Sequence, residues 1–324
     1  MVESDQASDR PKCDTTAPVV VACVADNAYA IPLAVMLQSL STHADPQRRI
    51  DVYIIDCGLP GPVRARIDGQ TRPNLHFHWL GSTRSPGLGT PLWGHVSDAT
   101  YDRLLLINYL PEDSVNVLWL DCDLLILDDV TSLFDRALNG ETLQAVRDPF
   151  IRSMGSPFGV RHWQELGLAR HSPYFNAGVM LIDMSRWRAT GVEDRALQHL
   201  RRFGKQVFFR EQEALNAVIG ENWKPLEDRW NYSANPFHAK QQSLGGDPPA
   251  VIHFAGRIKP WNLPDLGAVQ DMYFRYLDKT YWRGTRPQRT ARNQLLSWYA
   301  RSRLRYLTYP LENLYLRLSH LMGI

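Results

Sequence analysis

Asp121 and Asp123, set either side of Cys122, carry the strongest chemical signal in this chain. An apolar run from Val115 to Leu120 leads straight into them and Leu124 to Leu127 follows, so both carboxylates stand beside a core. Two like charges placed there cost on the order of several kcal/mol unless a cation or hydrogen bonds compensate. A divalent ion satisfies both at once, and oxygen ligands suit Mn²⁺ or Mg²⁺. The competing reading is a turn in which one aspartate caps the backbone before Leu124. Position at a strand end weighs toward the metal.

A second constellation runs from His253 to Trp261 and includes Gly256 and Lys259. An apolar run delivers His253, whose imidazole is a good third ligand for Mn²⁺. The glycine permits close backbone approach, and its N–H with the lysine ammonium can meet phosphate oxygens. Singly these are a satisfied strand histidine, a turn glycine and a solvated lysine; together they describe a clamp for a metal and a diphosphate. Asn176, followed by Ala177 and Gly178 at the start of an apolar strand, can face a ligand while the strand packs in a core. Glu211 and Glu213 flank Gln212 at a helix start, where plain helix electrostatics is the simpler explanation.

The elements that must position these residues alternate between strand and helix. Val19 to Ala25 is a continuous β-prone run of the kind buried on both faces of a sheet. A helix is expected over 28–42, with Pro32 in its first turn, where a missing N–H costs little. Strands are predicted at 51–55, 75–79, 115–120, 143–146, 175–182 and 251–254. Helices are predicted near 62–67, 98–110, 192–203, 211–218 and 268–281. This alternation implies βαβ units and a mainly parallel sheet, whose ligands gather beyond the carboxyl ends of the strands.

In this order, these residues resemble the retaining glycosyltransferases of family 8, which include bacterial lipooligosaccharide galactosyl- and glucosyltransferases and glycogenin. The family pattern is matched by Asp26 after the first strand, Arg103, Asp121-Cys122-Asp123, Phe175-Asn176-Ala177-Gly178, Glu211 to Asn216, and His253 to Trp261. The resemblance covers about residues 18–282 and implies a GT-A fold, a Rossmann-like nucleotide-binding half fused to an acceptor-binding half. It further implies a UDP-sugar donor and a saccharide or glycolipid acceptor. Asp121, Asp123 and His253 would ligate Mn²⁺ on the diphosphate, with Gly256 and Lys259 on the phosphates and Asp26 on the uridine or ribose. Arg103, Asn176 with Ala177 beside it, and Glu211 would hold the donor sugar, and Gln212 would lie near the anomeric carbon. The family usually has Asp where Glu211 stands, which leaves glucose and galactose both open.

A chain of 324 residues with 44% hydrophobic and 22% charged residues can bury a sizeable core. Cys13, Cys23, Cys57 and Cys122 show no CxxC spacing, and three sit in or beside apolar runs. Buried thiols in a cytoplasmic protein are therefore expected. Residues 1–17 are polar without an apolar stretch, so a disordered leader rather than a secretory signal is expected. From Arg283 onward eight arginines face one acid, Glu312, a net +7 that leaves residues 1–282 at −5 of the chain's +2. Leucines recur there at spacings of three and four among Trp and Tyr, with Pro310 expected to divide two short helices. Such a tail over 283–324 suits an anionic membrane surface, which would make the protein peripheral on the inner face of the cytoplasmic membrane. Packing on the body and a homodimer seam are the alternatives. An acidic body without a basic groove argues against nucleic acid. A sugar-nucleotide pyrophosphorylase needs a glycine-rich basic loop after the first strand, which Ala25 to Tyr29 lacks. An inactive sugar-binding scaffold sits poorly with an intact set of acids, imidazole and lysine.

Overall fold

The computed structural model describes residues 18–70, 73–83, 98–136 and 138–302, together with 304, 305, 308, 309, 311 and 314. The leader at 1–17 and the expected break at Pro310 lie outside them. The first part of the chain runs β1 (Val19–Ala25), α1 (Ala30–His43), β2 (Ile50–Asp56), α2 (Gly61–Asp68), β3 (Leu75–Gly81), β4 (Asn116–Leu120) and β5 (Leu124–Ile126). It continues through β6 (Leu143–Arg147), β7 (Phe175–Asp183), α3 (Met184–Ala189), α4 (Val192–Phe203), α5 (Arg210–Ile219), β8 (Trp223–Leu226) and β9 (Tyr232–Ser233). The last elements are α6 (Pro236–Ala239), β10 (Val251–His253), α7 (Ala268–Leu277) and α8 (Ala291–Arg301).

Seven strands form one sheet in the order β3-β2-β1-β4-β7-β6-β8, and β5-β10-β9 form a small second sheet. In the large sheet only β7 runs against the others. The unbroken apolar run of β1 follows from cover on both faces. Val19, Val21, Cys23 and Ala25 enter one core and Ala22 the other, with Val20 and Val24 packed beside it. Strand β4 divides likewise, Leu118 and Leu120 to one side, Val117 and Trp119 to the other. Helix α1 is buried over eleven of its fourteen residues because both sheets cover it. Leu33, Leu37 and Leu40 meet the large sheet, while Val35 packs with Leu125 and Ile252 of the small one. Ser39 Oγ accepts the Ile126 N–H at 3.0 Å, tying the helix to β5.

Two expected helices are corrected. Over 98–110 the chain forms two 3₁₀ segments, Asp98–Leu104 and Leu106–Asn108, broken at Leu105. Tertiary ties win over local propensity there: the buried Asp102 carboxylate accepts from Tyr109 Oη at 2.5 Å, Ser82 Oγ at 3.0 Å and Cys57 Sγ at 3.1 Å. Helix α7 stops at Leu277 rather than 281, where Asp278 turns to accept from Gly284 N and Arg286. Strand β8 went unforeseen because it contains Pro225, which a strand at the sheet edge tolerates. Among the described residues no helix is long and apolar enough to cross a membrane.

Candidate active site

The carboxyl ends of the parallel strands share one edge, and the reversed β7 brings its amino end to the same edge. Asp26 follows β1, Asp121 follows β4, Asp148 follows β6, and Asn176 and Ala177 open β7. The Asp121-Cys122-Asp123 stretch is the crossover from β4 of the large sheet into β5 of the small one. Strand β10 pairs antiparallel with β5 in a register that sets His253 opposite Leu124, the neighbour of Asp123. One oxygen from each aspartate and one His253 nitrogen consequently lie within 4.8 Å of one another.

Hydrogen bonds settle which nitrogen faces the acids. The Gly178 N–H donates to Asn176 Oδ1 at 3.0 Å, which makes that atom the acceptor oxygen. Asn231 Nδ2 donates to the same oxygen at 2.9 Å, so Asn231 Oδ1 faces His253 Nδ1, 2.9 Å away. Nδ1 therefore carries the proton, and Nε2 turns its lone pair on Asp123 Oδ1 at 3.3 Å. Two acceptors face each other there unless a cation lies between them or the ring takes up a second proton. Two carboxylates and an imidazole whose other N–H is anchored fit Mn²⁺ or Mg²⁺.

Asp123 is buried, and burial alone would push its carboxyl up. The Lys259 ammonium and then His253 outweigh that and hold it well below the usual carboxylate range. Lys259 Nζ donates to Asp123 Oδ2 at 2.5 Å and to the Phe254 carbonyl at 2.6 Å. Gly178 is required by the closeness of His253: a Cβ there would stand 2.4 Å from His253 Cε1.

On the other side of Asp121, the buried Arg103 donates from Nη2 to Asp121 Oδ1 at 2.8 Å and from Nη1 to the Ala177 carbonyl at 3.1 Å. Trp119 Nε1 donates to the same Asp121 oxygen at 2.9 Å. Glu211 lies 3.8 Å from Arg103 Nη2; burial pushes its carboxyl up and Arg103 offsets part of that. Arg103 Nε is buried with no hydrogen-bond partner among the described residues. Just before Glu211, Arg210 adopts φ 42°, a left-handed conformation that a non-glycine residue holds only when its surroundings enforce it. That turn opens α5, from which Gln212 accepts the Ala177 N–H at 3.0 Å and donates to Asp148 Oδ2 at 3.2 Å.

The structure thus brings Asp121, Asp123, His253, Lys259, Arg103, Asn176, Ala177, Glu211 and Gln212 into one connected cluster. Asp26 caps the turn after β1, its Oδ1 accepting from Ala28 N and Tyr29 N at 3.0 and 3.1 Å. Gly256 is exposed at φ 88°. Three members escaped the sequence reading. Asp148 bridges Asn176 and Gln212, and the signal that could have found it is an acid directly after a strand, as with Asp26 and Asp121. Asn231 orients His253 from a short turn with no motif of its own. Tyr29 has its phenol pushed up by burial and then by the nearby Asp123 and Asp121. A cavity of about 640 Å³ lined by Gln38, Arg66, Lys279 and Tyr281 shares no residue with this cluster.

The family model for glycosyl transferase family 8 matches residues 20–263, which span every site residue named above. The chain belongs to glycosyltransferase family 8. It is a glycosyltransferase with a GT-A fold. It is 27% identical to General stress protein A of Bacillus subtilis (strain 168), an alignment covering 81% of this chain and 94% of that protein. It is 25% identical to glycosyltransferase GlyF of Streptococcus pneumoniae serotype 4, over 80% of this chain and 61% of the larger protein. Among solved structures, galactosyltransferase LgtC in complex with donor and acceptor sugar analogs superposes with a TM-score of 0.68 at 26% identity, covering 82% of this chain and all of that one. The family match ends before the arginine-rich tail.

Proposed function

We propose that this glycosyltransferase moves a hexose from UDP-glucose or UDP-galactose to a saccharide acceptor, a lipopolysaccharide or glycolipid precursor, with retention of configuration. The observation that carries this reading is the convergence of Asp121, Asp123 and His253 within 4.8 Å, with Lys259 against Asp123, at the strand edge where nucleotides bind in such folds. The structural likeness to LgtC, solved with donor and acceptor sugar analogs, supports a sugar donor and a sugar acceptor.

Asp121, Asp123 and His253 would hold Mn²⁺ or Mg²⁺, which when bound withdraws charge from the departing diphosphate. Lys259 adds an ammonium to the same task, and Gly256 offers a backbone N–H to the phosphates. Asp26 takes the uridine or ribose. Arg103, Asn176, Ala177 and Glu211 hold the sugar, and Gln212 lies beside the anomeric carbon. An amide is a poor nucleophile, and the Gln212 oxygen is already engaged by the Ala177 N–H. Attack from the face of departure is therefore favoured, the leaving phosphate oxygen accepting the acceptor's proton. A covalent glycosyl adduct trapped on Glu211 would overturn that step.

The test of the donor reading is UDP release from a set of UDP-sugars, with Mn²⁺ and with EDTA. Release that needs Mn²⁺ and selects one hexose supports it; a protein that leaves every UDP-sugar intact with Mn²⁺ present contradicts it.

The tail is proposed to rest on an anionic membrane surface. Leu295, Leu296, Trp298, Leu304, Leu311 and Leu314 are exposed along it, in a stretch whose sequence carries eight arginines, of which Arg305 is buried. A chain ending at Trp282 is expected in the soluble fraction, while the full chain sediments with vesicles containing phosphatidylglycerol. Retention of the shortened chain on those vesicles would exclude the tail as the anchor.

A further inference from the structure

Beside the donor cluster lies a surface of aromatic rings that the mechanism has not used, and the tail contributes to it. Asp148 joins the two. Its Oδ2 serves Asn176 and Gln212, while its Oδ1 accepts from Phe150 N at 2.8 Å and Ile151 N at 2.7 Å, folding the turn that presents Phe150. Phe209 stands three residues before Gln212, accepts the Gln212 N–H on its carbonyl at 2.9 Å, and is 39% exposed. The His238 ring stacks on Phe150 with centroids 5.2 Å apart.

Tyr309, beyond the end of the family match, closes this surface. Its hydroxyl lies 2.5 Å from His238 Nε2, its ring stacks on Phe237 at 4.4 Å and 13°, and its edge meets Phe150 at 6.5 Å. Arg305, buried although it belongs to a mostly exposed segment, sets its guanidinium 5.0 Å over Phe237 and 5.7 Å over Tyr309. The leucines at 304, 311 and 314 remain exposed, so the tail docks by one set of side chains and leaves another outward. Phe150, Phe237, His238 and Tyr309 are each only half-buried; Phe150 packs on the small core around Ile151, Met154 and Tyr174 and keeps part of its surface open.

A patch of half-exposed rings bordered by an imidazole and a hydroxyl, continuous with the donor cluster through one carboxylate, suits a pyranose. Its C–H face is apolar and packs on an aromatic ring, while its hydroxyls need polar partners at the rim. We propose that Phe150, Phe209, Phe237, His238 and Tyr309 form the platform for the acceptor saccharide, so that the tail completes the acceptor site as well as flanking it. This rests on the donor reading above. It also gives the tail two tasks on two faces, since the chain that meets a lipid surface would hold the sugar emerging from it.

The full-length chain is assayed with UDP-galactose and UDP-glucose plus Mn²⁺, measuring donor hydrolysis alone and then transfer to octyl glycosides of glucose, galactose, mannose and lactose. For the best of these acceptors, Tyr309→Ala is expected to raise the acceptor KM about tenfold, with the KM for the donor unmoved. Tyr309→Phe, which keeps the ring and loses only the hydroxyl, recovers most of that and guards against a variant that misfolds. An acceptor KM that stays constant or falls in Tyr309→Ala overturns the platform, as does hydrolysis that no glycoside diverts into transfer. Absence of hydrolysis with either donor is a separate result, and it strikes the donor reading itself.

Discussion

Gly178 shows how closely single atoms are constrained at this site. Its hydrogen faces His253, and the methyl of Gly178→Ala would collide with Cε1 and Nδ1 of that ring and crowd Asn176 Oδ1. The ring must then move off the aspartates. The variant is expected to lose about 1–3 kcal/mol of stability in urea titration and, more tellingly, to require higher Mn²⁺ for half-maximal UDP release. Lys259→Met keeps length and removes the charge beside Asp123; kcat is expected to fall about 10²–10³-fold in steady-state assays, as when one stabilising donor is deleted from an active site. Glu213 supplies a pH test that is independent of catalysis. Burial raises its carboxyl from 4.5 to about 7, although it accepts the Arg161 and Phe208 N–H groups. The folded pKa lies above the unfolded one, so this group's contribution is undiminished below pH 4.5, declines from there to about pH 7 and is level beyond. The full interval corresponds to on the order of 3 kcal/mol. Between pH 5 and pH 8 the stability of Glu213→Gln should therefore shift in the variant's favour relative to wild type. The lost acceptor adds a pH-independent offset, which leaves the shift readable. A difference that does not vary with pH would show that Glu213 ionises normally.

At the level of elements, the central strands β1, β4 and β7 were readable because each runs nearly unbroken between two cores. The paired burial of β1 and β4 needs apolar residues at every position, and such runs stand out in a sequence. Asp26 and Asp121 were readable for the same reason, since a carboxylate directly after such a run has no bland surface to occupy. The 3₁₀ segment carrying Arg103 was not readable as such. Its shape is fixed by Asp102, which draws Cys57 after β2, Ser82 after β3 and Tyr109 onto one buried carboxylate, and the first two of those partners lie 45 and 20 residues away in the chain. Asn231 and Asp148 were hidden likewise, because their partners lie 22 to 64 residues away in the chain. Tyr109→Phe tests this knot. It removes one donor to Asp102 and the acceptor of the Thr83 N–H, and it is expected to cost about 1–3 kcal/mol in urea titration. Since Arg103 adjoins Asp102, the donor KM should rise as well; stability lost with an unchanged KM would show that the knot holds the fold without aiming Arg103.

Across the whole molecule, two sheets meet at one crossover, and the chemistry sits on it. The large sheet supplies Asp121, the small one supplies His253, and Asp123 is the residue at which the chain passes between them. Neither sheet alone could assemble the three, which is why the motif is short in sequence while its third member arrives 130 residues after Asp123. The tail stands outside this core, and its sequence announced charge and leucines without disclosing that Arg305 and Tyr309 turn back to the body. Calorimetric titration of UDP into the chain, with Mn²⁺ and again with EDTA, tests whether Asp121, Asp123 and His253 share one cation with the nucleotide. Tight binding is expected with Mn²⁺, at least about tenfold weaker binding in EDTA, and loss of that difference in Asp123→Ala. Binding of equal strength under all three conditions, or none under any, would contradict it.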